Sequence, residues 1–376
     1  MSQNFDVLIV GAGPAGATLA TLIARKGLSV GLIDKASFPR DKACAGAVIL
    51  DIFDELPYLK KYQKRMLECI TSYGIFHSPD CKTQVKLPLK LGACLREKFD
   101  MILFEEATKN RAQFITSEKV ISLKRKTERV VVQTKSNTYE AKVVIGADGA
   151  NSVIAREAFV NSPLKRQRSY LCRVYDFPYD SEKLIEFYGD EKAFQVFAKI
   201  AGYAQTGYGW LFPKKQHICV GFGISTSENL SSQNLFLKFL QFLFSKAFLP
   251  EELATKSNLK PALSSRSALC PIGGLREAVS EDRVLLVGDA GGFVAPITGM
   301  GILDAVVSAK IAAKIIIKGF EEENLAILSQ YDDLCRKRFQ RPYKKALRTQ
   351  KIALSPLTSP LFRIANNWLI LSKKIG

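Results

Sequence analysis

The segment from Phe5 to Asp34 constrains the fold of this chain more than any other. An apolar run, Val7 to Val10, is typical of a buried parallel strand. It leads into Gly11-Ala12-Gly13-Pro14-Ala15-Gly16 and then into an apolar stretch with helical spacing. A second apolar run, Val30 to Ile33, ends at the acid Asp34. This order of strand, glycine turn, helix, strand and acid predicts a dinucleotide-binding unit at the start of an α/β fold.

Each glycine of the turn has its own physical role. Gly11 permits the tight turn, Gly13 lets the backbone approach a pyrophosphate, and Gly16 allows the helix to pack closely on the strand. The helix N-terminus faces the phosphates, and Asp34 is expected to accept a hydrogen bond from the adenosine ribose. The predicted contacts on this unit are Gly11, Gly13, Ala15, Gly16, Asp34 and Lys35. The pattern alone does not distinguish NAD from FAD.

Two later segments also join a buried strand to a glycine-rich turn. One strand ends in Gly146-Ala147-Asp148-Gly149, and another, Arg283 to Val287, ends in Gly288-Asp289-Ala290-Gly291-Gly292. Pro296-Ile297-Thr298-Gly299-Met300-Gly301 then begins a helix predicted from Ile302 to about Phe320. FAD is long enough to need such a second junction, whose amides and dipole would meet the electron-rich end of the flavin.

These segments resemble the p-hydroxybenzoate hydroxylase-like flavoproteins. The resemblance implies that Asp148 and Gly149 form the Asp-Gly motif near the pyrophosphate and that Asp289 binds the ribityl chain. Arg96, in Leu95-Arg96-Glu97-Lys98-Phe99-Asp100, is similar to the Arg-x-x-Phe-Asp element that touches FAD. The backbone beside the isoalloxazine would belong to Gly299, Gly301 and Ile302. No second Gly-x-Gly-x-x-Gly occurs, so we expect NAD(P)H or a reduced protein to donate electrons transiently.

Two other segments resemble the geranylgeranyl reductase family. Phe38-Pro39-Arg40-Asp41-Lys42-Ala43-Cys44-Ala45-Gly46 is similar to its pattern of Pro, four residues and Cys-Gly-Gly, with Ala45 replacing the first glycine. Tyr208-Gly209-Trp210-Leu211-Phe212-Pro213, followed by Gly221-Phe222-Gly223, is similar to its Tyr-x-Trp-x-Phe-Pro segment with a downstream Gly-x-Gly. The resemblance implies a reduced flavin that delivers hydride to a carbon–carbon double bond of an isoprenoid chain.

The predicted catalytic residues are Cys44, Tyr208 and Trp210. Tyr208 and Trp210 alternate onto one face of a strand, where they would form an apolar wall with a polar handle over the flavin. The resemblance places Cys44 and Ala45 near the flavin, with Cys44 as a proton donor or a conformational element. The alternatives are that Cys44 is a small buried hydrophobe and that Tyr208 and Trp210 belong to the core of the sheet.

The predicted fold class is α/β, with a Rossmann-like FAD-binding domain, an antiparallel-sheet substrate domain and a helical C-terminal tail. The FAD-binding domain is expected to comprise residues 1–75, 95–164 and 265–320, the substrate domain 76–94 and 165–264, and the tail 321–376. Strands are predicted at 169–175, 183–188, 193–200 and 217–224. The aromatic helix 235–244 either packs on that sheet, lines a long apolar substrate or contacts a membrane.

Charge is concentrated at the end of the chain. The whole chain has 54 Lys and Arg against 36 Asp and Glu, a net charge of +18. Residues 334–376 contain 11 Lys and Arg, no acid, and bulky apolar residues such as Phe362 and Trp368. This composition suits an interfacial helix on an anionic membrane surface, with a merely solvated basic helix as the alternative. No recognition motif accompanies the charge, which disfavours nucleic acid.

The remaining composition argues for a cytoplasmic protein that associates peripherally with a membrane. Its eight cysteines are scattered without a Cys-x-x-Cys, and it has only two histidines, so we expect reduced thiols and no metal site. We expect no leader segment, and the sequence contains no long uncharged apolar run.

The predicted function is FAD-dependent hydrogenation of double bonds in an isoprenoid lipid or quinone side chain. Two alternatives stay open: an FAD-dependent aromatic monooxygenase or halogenase, and a non-enzymatic flavin-bearing lipid-binding or electron-relay protein. The sequence does not specify the head group, the number of bonds reduced or the oligomeric state.

Overall fold

The computed structural model describes residues 3–164, 169–190, 192–265 and 267–353. Two eight-stranded sheets form its frame. The first has the order β15-β16-β9-β1-β2-β6, and a β7–β8 hairpin continues it from β9. Its strands are β1 Gln3–Val10, β2 Val30–Ile33, β6 Gln113–Ile115, β7 Val120–Arg125, β8 Val130–Thr134, β9 Thr138–Gly146, β15 Ser280–Glu281 and β16 Val284–Leu286.

The second sheet has the order β14-β10-β13-β12-β11-β4-β5-β3. Its pairs are antiparallel except for β11 with β4, which is parallel. Its strands are β3 Ala47–Ile49, β4 Cys69–His77, β5 Gln84–Ala93, β10 Tyr170–Pro178, β11 Phe194–Ala198, β12 Tyr208–Pro213, β13 His217–Ser225 and β14 Ser267–Cys270.

The described residues also form eleven α-helices. They are α1 Pro14–Ala24, α2 Ile52–Glu55, α3 Gln63–Met66, α4 Arg96–Lys109, α5 Val153–Ala158, α6 Ser181–Tyr188, α7 Ser232–Ser245, α8 Lys256–Leu263, α9 Ile302–Glu321, α10 Tyr331–Cys335 and α11 Arg341–Ala353. Short 3₁₀ segments occur at Pro57–Tyr62, Glu251–Leu253, Gly288–Gly291 and Leu325–Gln330, and a π-helical turn spans Arg336–Gln340.

Parallel pairing in the first sheet follows from its apolar strands. β1 lies between β2 and β9, and Val7 to Val10 pair in register with Val30 to Ile33 on one side. All four residues of β2 are buried, as a strand covered on both faces requires. Helices α1 and α9 pack against each other and contribute to the same core. The predicted α/β fold class, with its Rossmann-like domain and second sheet, is therefore confirmed.

One predicted strand is wrong. Residues 183–188 belong to helix α6, not to a strand. The Asp180 carboxylate accepts hydrogen bonds from the amides of Glu182 and Lys183, which supplies the N-cap that starts the helix. Leu184 is then buried, and Tyr188, one turn later, donates to the Phe248 carbonyl. The apolar residues in this stretch fit a one-sided helix as well as they fit alternation.

The sheets do not follow the predicted domain ranges at three places. Strand β3, the first part of β4, and β14 lie in the second sheet, although their residues were expected in the FAD-binding domain. These strands carry the chain across the junction, and each gains its backbone hydrogen bonds from the second sheet. The division into domains otherwise stays a prediction, and residues 354–376 of the predicted tail lie outside the described residues.

The aromatic helix α7 packs on the second sheet. Phe236, Phe239 and Leu243 are fully buried against it. A Cβ on Gly209 of β12 would lie 2.4 Å from the ring of Phe239, so this strand approaches the helix closely. Since Gly209 alternates with Tyr208 and Trp210, α7 covers the sheet face opposite to those two residues.

Candidate active site

The glycines in the loop between β1 and α1 differ in the space around their Cβ positions. Gly11 has φ of +103°, and a Cβ there would lie 2.3 Å from the Ala147 carbonyl oxygen. A Cβ on Gly16 would lie 1.9 Å from the Gly11 carbonyl oxygen. Gly13 differs, because the nearest atom to its Cβ position is Nη2 of Arg40 at 3.8 Å. The space beside Gly13 is open at the N-terminus of α1, which no side chain caps, as a pyrophosphate site requires.

Arg40 is a candidate cofactor ligand that the sequence reasoning missed. Its Nη2 lies 3.1 Å from Oδ2 of Asp100, and its Nε lies 4.0 Å from Oδ2 of Asp34. That Nε is buried and has no hydrogen-bond partner among the described residues. A guanidinium with a spare donor beside the open space at Gly13 suits a phosphate oxygen. The residue stood in the segment that contains Cys44, but no spacing rule linked it to the glycine loop.

Asp34 lies at the end of β2, where the dinucleotide pattern predicts a ribose ligand. Its Oδ2 accepts the Ala12 amide at 2.8 Å and its Oδ1 accepts the Ala36 amide at 2.9 Å. These bonds fix the carboxylate against the glycine loop while each oxygen retains accepting capacity. The neighbouring Lys35 is exposed. Both ribose-side roles stay predictions.

The Arg-x-x-Phe-Asp element is explained by one turn of α4. Arg96 forms two hydrogen bonds with Asp100, of 2.9 and 2.8 Å, and Phe99 between them is fully buried. Asp100 also pairs with Arg40, so one buried carboxylate holds two guanidiniums. This arrangement anchors the start of α4 next to the glycine loop.

The two residues of the Asp-Gly motif differ: the side chain of Asp148 supports the turn, and the backbone of Gly149 is accessible. Asp148 turns toward α5, where it accepts the amide of Val153 at 2.6 Å and the hydroxyl of Ser152. Burial raises the pKa of Asp148, and these hydrogen bonds oppose the rise. Gly149 has φ of +83°, and no atom lies within 4 Å of its Cβ position. Backbone at Gly149 is thus open to a ligand, whereas the Asp148 side chain supports the turn.

The third glycine segment forms the N-terminus of α9. Gly301 precedes this helix, which has no side-chain cap. A Cβ on Gly301 would lie 3.5 Å from Oδ1 of Asp289, so the carboxylate sits beside the helix start. Gly299 has φ of +64°, a left-handed conformation that favours glycine. The free amides at Ile302 and its neighbours would favour negative charge at this end.

An apolar wall on the second sheet faces this segment. The ring centroids of Tyr208 and Trp210 are 5.8 Å apart, and those of Trp210 and Phe212 are 6.4 Å apart. A Cβ on Gly221 of β13 would lie 2.5 Å from the Trp210 indole, so the downstream Gly-x-Gly makes room for that ring. Met300 packs into the same cluster.

The Tyr208 hydroxyl is already engaged. It donates to the carbonyl oxygen of Thr298, which ties the wall to the segment before α9. Burial raises the pKa of Tyr208 well above its ordinary value, so the hydroxyl stays protonated. The phenol therefore positions the 298–301 loop, and any proton it supplied would first have to leave that hydrogen bond.

The Cys44 segment contributes to the same apolar region. Ala43 and Ala45 belong to the cluster that includes Tyr208 and Met300, while Cys44 packs against the cluster that includes Ile302, the first residue of α9. The Cys44 thiol is half-buried and accepts the Gly46 amide at 3.4 Å. Tyr208 and Trp210 thus lie in one cluster, Cys44 lies in the segment that joins it to the start of α9, and the catalytic roles of all three stay predictions.

Comparison with known proteins identifies the family. A family model described as an FAD binding domain matches residues 4–346. A digeranylgeranylglycerophospholipid reductase from Methanothrix thermoacetophila is 30% identical over 328 residues, covering 83% of this chain and 77% of that protein. The chain belongs to the geranylgeranyl reductase family of FAD-dependent oxidoreductases.

Solved structures agree on the fold. A geranylgeranyl bacteriochlorophyll reductase-like protein from Thermoplasma acidophilum aligns with a TM-score of 0.77 at 22% identity, covering 95% of this chain and 89% of that one. A variant of the halogenase PltM in complex with FAD aligns with a TM-score of 0.64 at 17% identity, covering 88% of this chain and 73% of that one. Identities this low establish a shared fold and not a shared reaction.

Residues of this geranylgeranyl reductase family member fit FAD at both ends of the site. The glycine cradle and Arg40 suit the pyrophosphate, and the uncapped start of α9 suits the flavin ring. Within the described ranges, no group of three or more His, Cys, Asp or Glu is arranged to hold a metal ion. No helix in the same ranges is long and apolar enough to cross a bilayer.

Proposed function

We propose that the protein is a peripheral membrane reductase that uses FAD to hydrogenate carbon–carbon double bonds of an isoprenoid lipid or quinone side chain. The observation that carries the proposal is the apolar cluster in which Tyr208, Trp210, Ala45 and Met300 take part, next to the start of α9. The relative from Methanothrix is named for reduction of a digeranylgeranylglycerophospholipid.

An isolated alkene offers no carbonyl to polarise, so the protein must act by positioning. When bound, FAD would supply the hydride. Tyr208 and Trp210 would press the double bond into one orientation, and the apolar walls would exclude water from the reacting carbons. Cys44 is the proposed proton donor, since its thiol is half-buried and its neighbours Ala43 and Ala45 join the cluster of Tyr208.

The electron source in this proposal is NAD(P)H or a reduced protein. The glycine segment at residues 11–16 is the only Gly-x-Gly-x-x-Gly of this kind in the sequence, and it is assigned to FAD. A nicotinamide donor would therefore dock transiently at the flavin. Stopped-flow reduction of the bound flavin by NADH, NADPH and a reduced ferredoxin, each in turn, identifies the donor class.

The substrate explains the basic C-terminal region in this proposal. Helix α11 exposes Arg341, Lys344, Lys345 and Arg348, and the preceding turn exposes three more bases. Each base near an anionic bilayer contributes roughly 1 kcal/mol. A tail of about twenty buried carbons, at about 0.8 kcal/mol each, leaves a bilayer reluctantly, so docking brings the enzyme to its substrate.

Mass spectrometry of lipids and quinones tests the reaction. The protein is expressed in a host that makes unsaturated isoprenoids, and a Gly13→Asp variant serves as the FAD-deficient control. We expect products heavier by the mass of two hydrogens per reduced bond, formed without oxygen. Products that require oxygen or halide would instead assign the monooxygenase or halogenase alternative, and no product with a fully reducible flavin would favour an electron relay.

Sedimentation with anionic liposomes tests the membrane contact. Replacement of Arg341, Lys344, Lys345 and Arg348 by Gln is expected to weaken binding at least tenfold, and salt is expected to weaken wild-type binding steeply. The matched control replaces Lys119, Lys124, Lys126 and Lys135, which are exposed around the β7–β8 hairpin. If the two variants lost liposome binding equally, net charge alone would explain the contact, and α11 would be rejected as the docking surface.

A further inference from the structure

Lys214 is a buried cation that has no role in the reaction proposed above. It directly follows β12, and its side chain is 1% exposed. Because it continues the alternation of Tyr208, Trp210 and Phe212, it lies on the sheet face that forms the apolar wall. Its Nζ lies 2.6 Å from Oδ1 of Asp176, the one hydrogen-bond acceptor that it has among the described residues.

Stability does not account for this ion pair. Desolvating an ammonium costs several kcal/mol, and apolar residues of similar volume usually serve a core as well or better. Burial by itself lowers the pKa of Lys214, but the neighbouring Cys219 and Asp176 raise it, so the net pKa is above its ordinary value. The amine therefore stays charged. Two of its three N–H donors remain available.

The charge is directed at the Cys44 segment. A Cβ on Gly46 would lie 3.3 Å from Nζ of Lys214, so the ammonium is in contact with the backbone there. The Cys94 amide donates to the Gly46 carbonyl, which fixes this backbone at the sheet edge. Ala43 and Ala45, just before Gly46, belong to the apolar cluster that includes Tyr208 and Met300.

The two members of the pair are unequally screened. The Asp176 side chain is 31% exposed, whereas that of Lys214 is 1% exposed. Water weakens the field of the acid, but the field of the ammonium acts through a low-dielectric interior. The net potential that the pair projects toward the Cys44 segment is therefore positive.

We propose that Lys214 is a positioning residue that places a permanent positive charge beside the flavin ring and so favours the reduced, more negatively charged cofactor. This inference rests on the proposed function in one respect, namely that the ring lies in the space bordered by the Cys44 segment. Asp176 holds the ammonium in place and contributes little field of its own.

The test is a redox titration of the FAD-loaded protein at about pH 8, where the amine is charged and the reduced flavin is anionic. Lys214→Met is expected to lower the preference for reduced over oxidised flavin at least tenfold, a fall of about 30 mV for a two-electron couple. Asp176→Asn, which keeps the cation, is expected to leave the potential unchanged or raised. The control, Lys183→Met, removes a cation of an exposed pair with Glu252.

The outcomes separate this inference from the proposed function. An unchanged redox potential in Lys214→Met overturns the inference, because the cation would then have no effect on the flavin. An equal fall in Asp176→Asn also overturns it, because the pair would then affect the potential only by supporting the structure. Melting temperatures of both variants show how much each destabilises the protein. A wild-type protein that binds no FAD would instead contradict the proposed function, and the titration could not be made on it.

Discussion

Gly13 and Gly16 lie in the same loop but are required for different reasons. The Cβ position of Gly16 collides with backbone of this chain, while that of Gly13 meets only Nη2 of Arg40, at an ordinary contact distance of 3.8 Å. Their common spacing was visible in the sequence, and it predicted the dinucleotide site. The different roles were not visible, because they depend on how closely the Gly11 carbonyl and Ala147 approach Gly16 in three dimensions. The approach of Arg40 to Gly13 was hidden for the same reason, since no local pattern joins the two residues.

Alanine at each glycine separates the two roles. Gly13→Ala is expected to keep the melting temperature of the apoprotein within about 2 °C, a small effect by the usual scale, and to weaken FAD binding at least tenfold. Gly16→Ala is expected to lower the apoprotein melting temperature, because backbone must move. Calorimetry without FAD and fluorescence titration with FAD measure the two effects. A destabilised Gly13→Ala apoprotein would contradict the assignment of open space.

Tyr208→Phe tests the hydrogen bond to the Thr298 carbonyl. The ring keeps its place in the wall, but the loop before α9 loses a tether worth about 1 kcal/mol. We expect slower turnover and a higher KM, with the flavin spectrum perturbed. Tyr188→Phe is the matched control, since it removes a buried hydrogen bond of 2.7 Å to Phe248 far from this loop. Unchanged spectra in both variants would leave Tyr208 as sheet core.

Among the helices and strands, the sequence predicted those whose residue patterns are local. Strand β2 spans the predicted residues, and α9 runs from Ile302 as expected. The apolar residues of 183–188 fit the period of a strand and that of a helix, and the N-cap at Asp180 favours the helix. Packing of α11 could not be predicted, since it depends on Phe339 stacking edge-on to Phe293, with centroids 5.1 Å apart.

Contact between α9 and α11 should make stability depend on pH. The Tyr343 hydroxyl donates to Asp304 at 2.6 Å, and burial raises the pKa of Asp304 from 3.8 to about 6. A raised folded-state pKa gives stability that is complete below about pH 4 and lost as pH rises through about 6. Asp304→Asn should therefore be more stable than wild type at pH 7, by about 1 to 3 kcal/mol.

Urea unfolding of wild type and Asp304→Asn at several pH values measures this difference. The stability gap should close between about pH 6 and pH 4, as the wild-type acid becomes neutral. Asp332→Asn is a useful comparison, because its carboxylate accepts the Val279 amide at 2.7 Å and α11 is not involved. A pH-independent gap would contradict the titration of Asp304 in this range.

At the scale of the whole molecule, the site is assembled from segments that are far apart in sequence. The glycine loop, the Cys44 segment, β12 and the start of α9 each had a recognisable local pattern. The sequence could not show that β3, β4 and β14 join one sheet, because such pairing is set by the path of the chain and not by residue type. Lys214 had no signal at all, since its meaning depends on burial and on the approach of Gly46.

Removal of all residues after Asp333 should have two effects. It deletes the exposed bases of α11, and it deletes Phe339 and Tyr343, which contact Phe293 and Asp304 near the start of α9. We expect loss of liposome binding together with faster FAD release. The four-residue Gln variant of α11 should lose only the liposome binding. Retention of FAD by the truncated protein would show that the buried face of α11 does not support the site.

The support of the α9 segment by Phe339 and Tyr343 also has a consequence for biosynthesis. A nascent chain displays the glycine loop early, but the segment at 288–301 lacks its packing partners until α11 has left the ribosome. Stable cofactor loading should therefore follow the synthesis of residues 339–343 and not that of the glycine loop. A cell short of riboflavin would accumulate chains that extend past this point and await FAD.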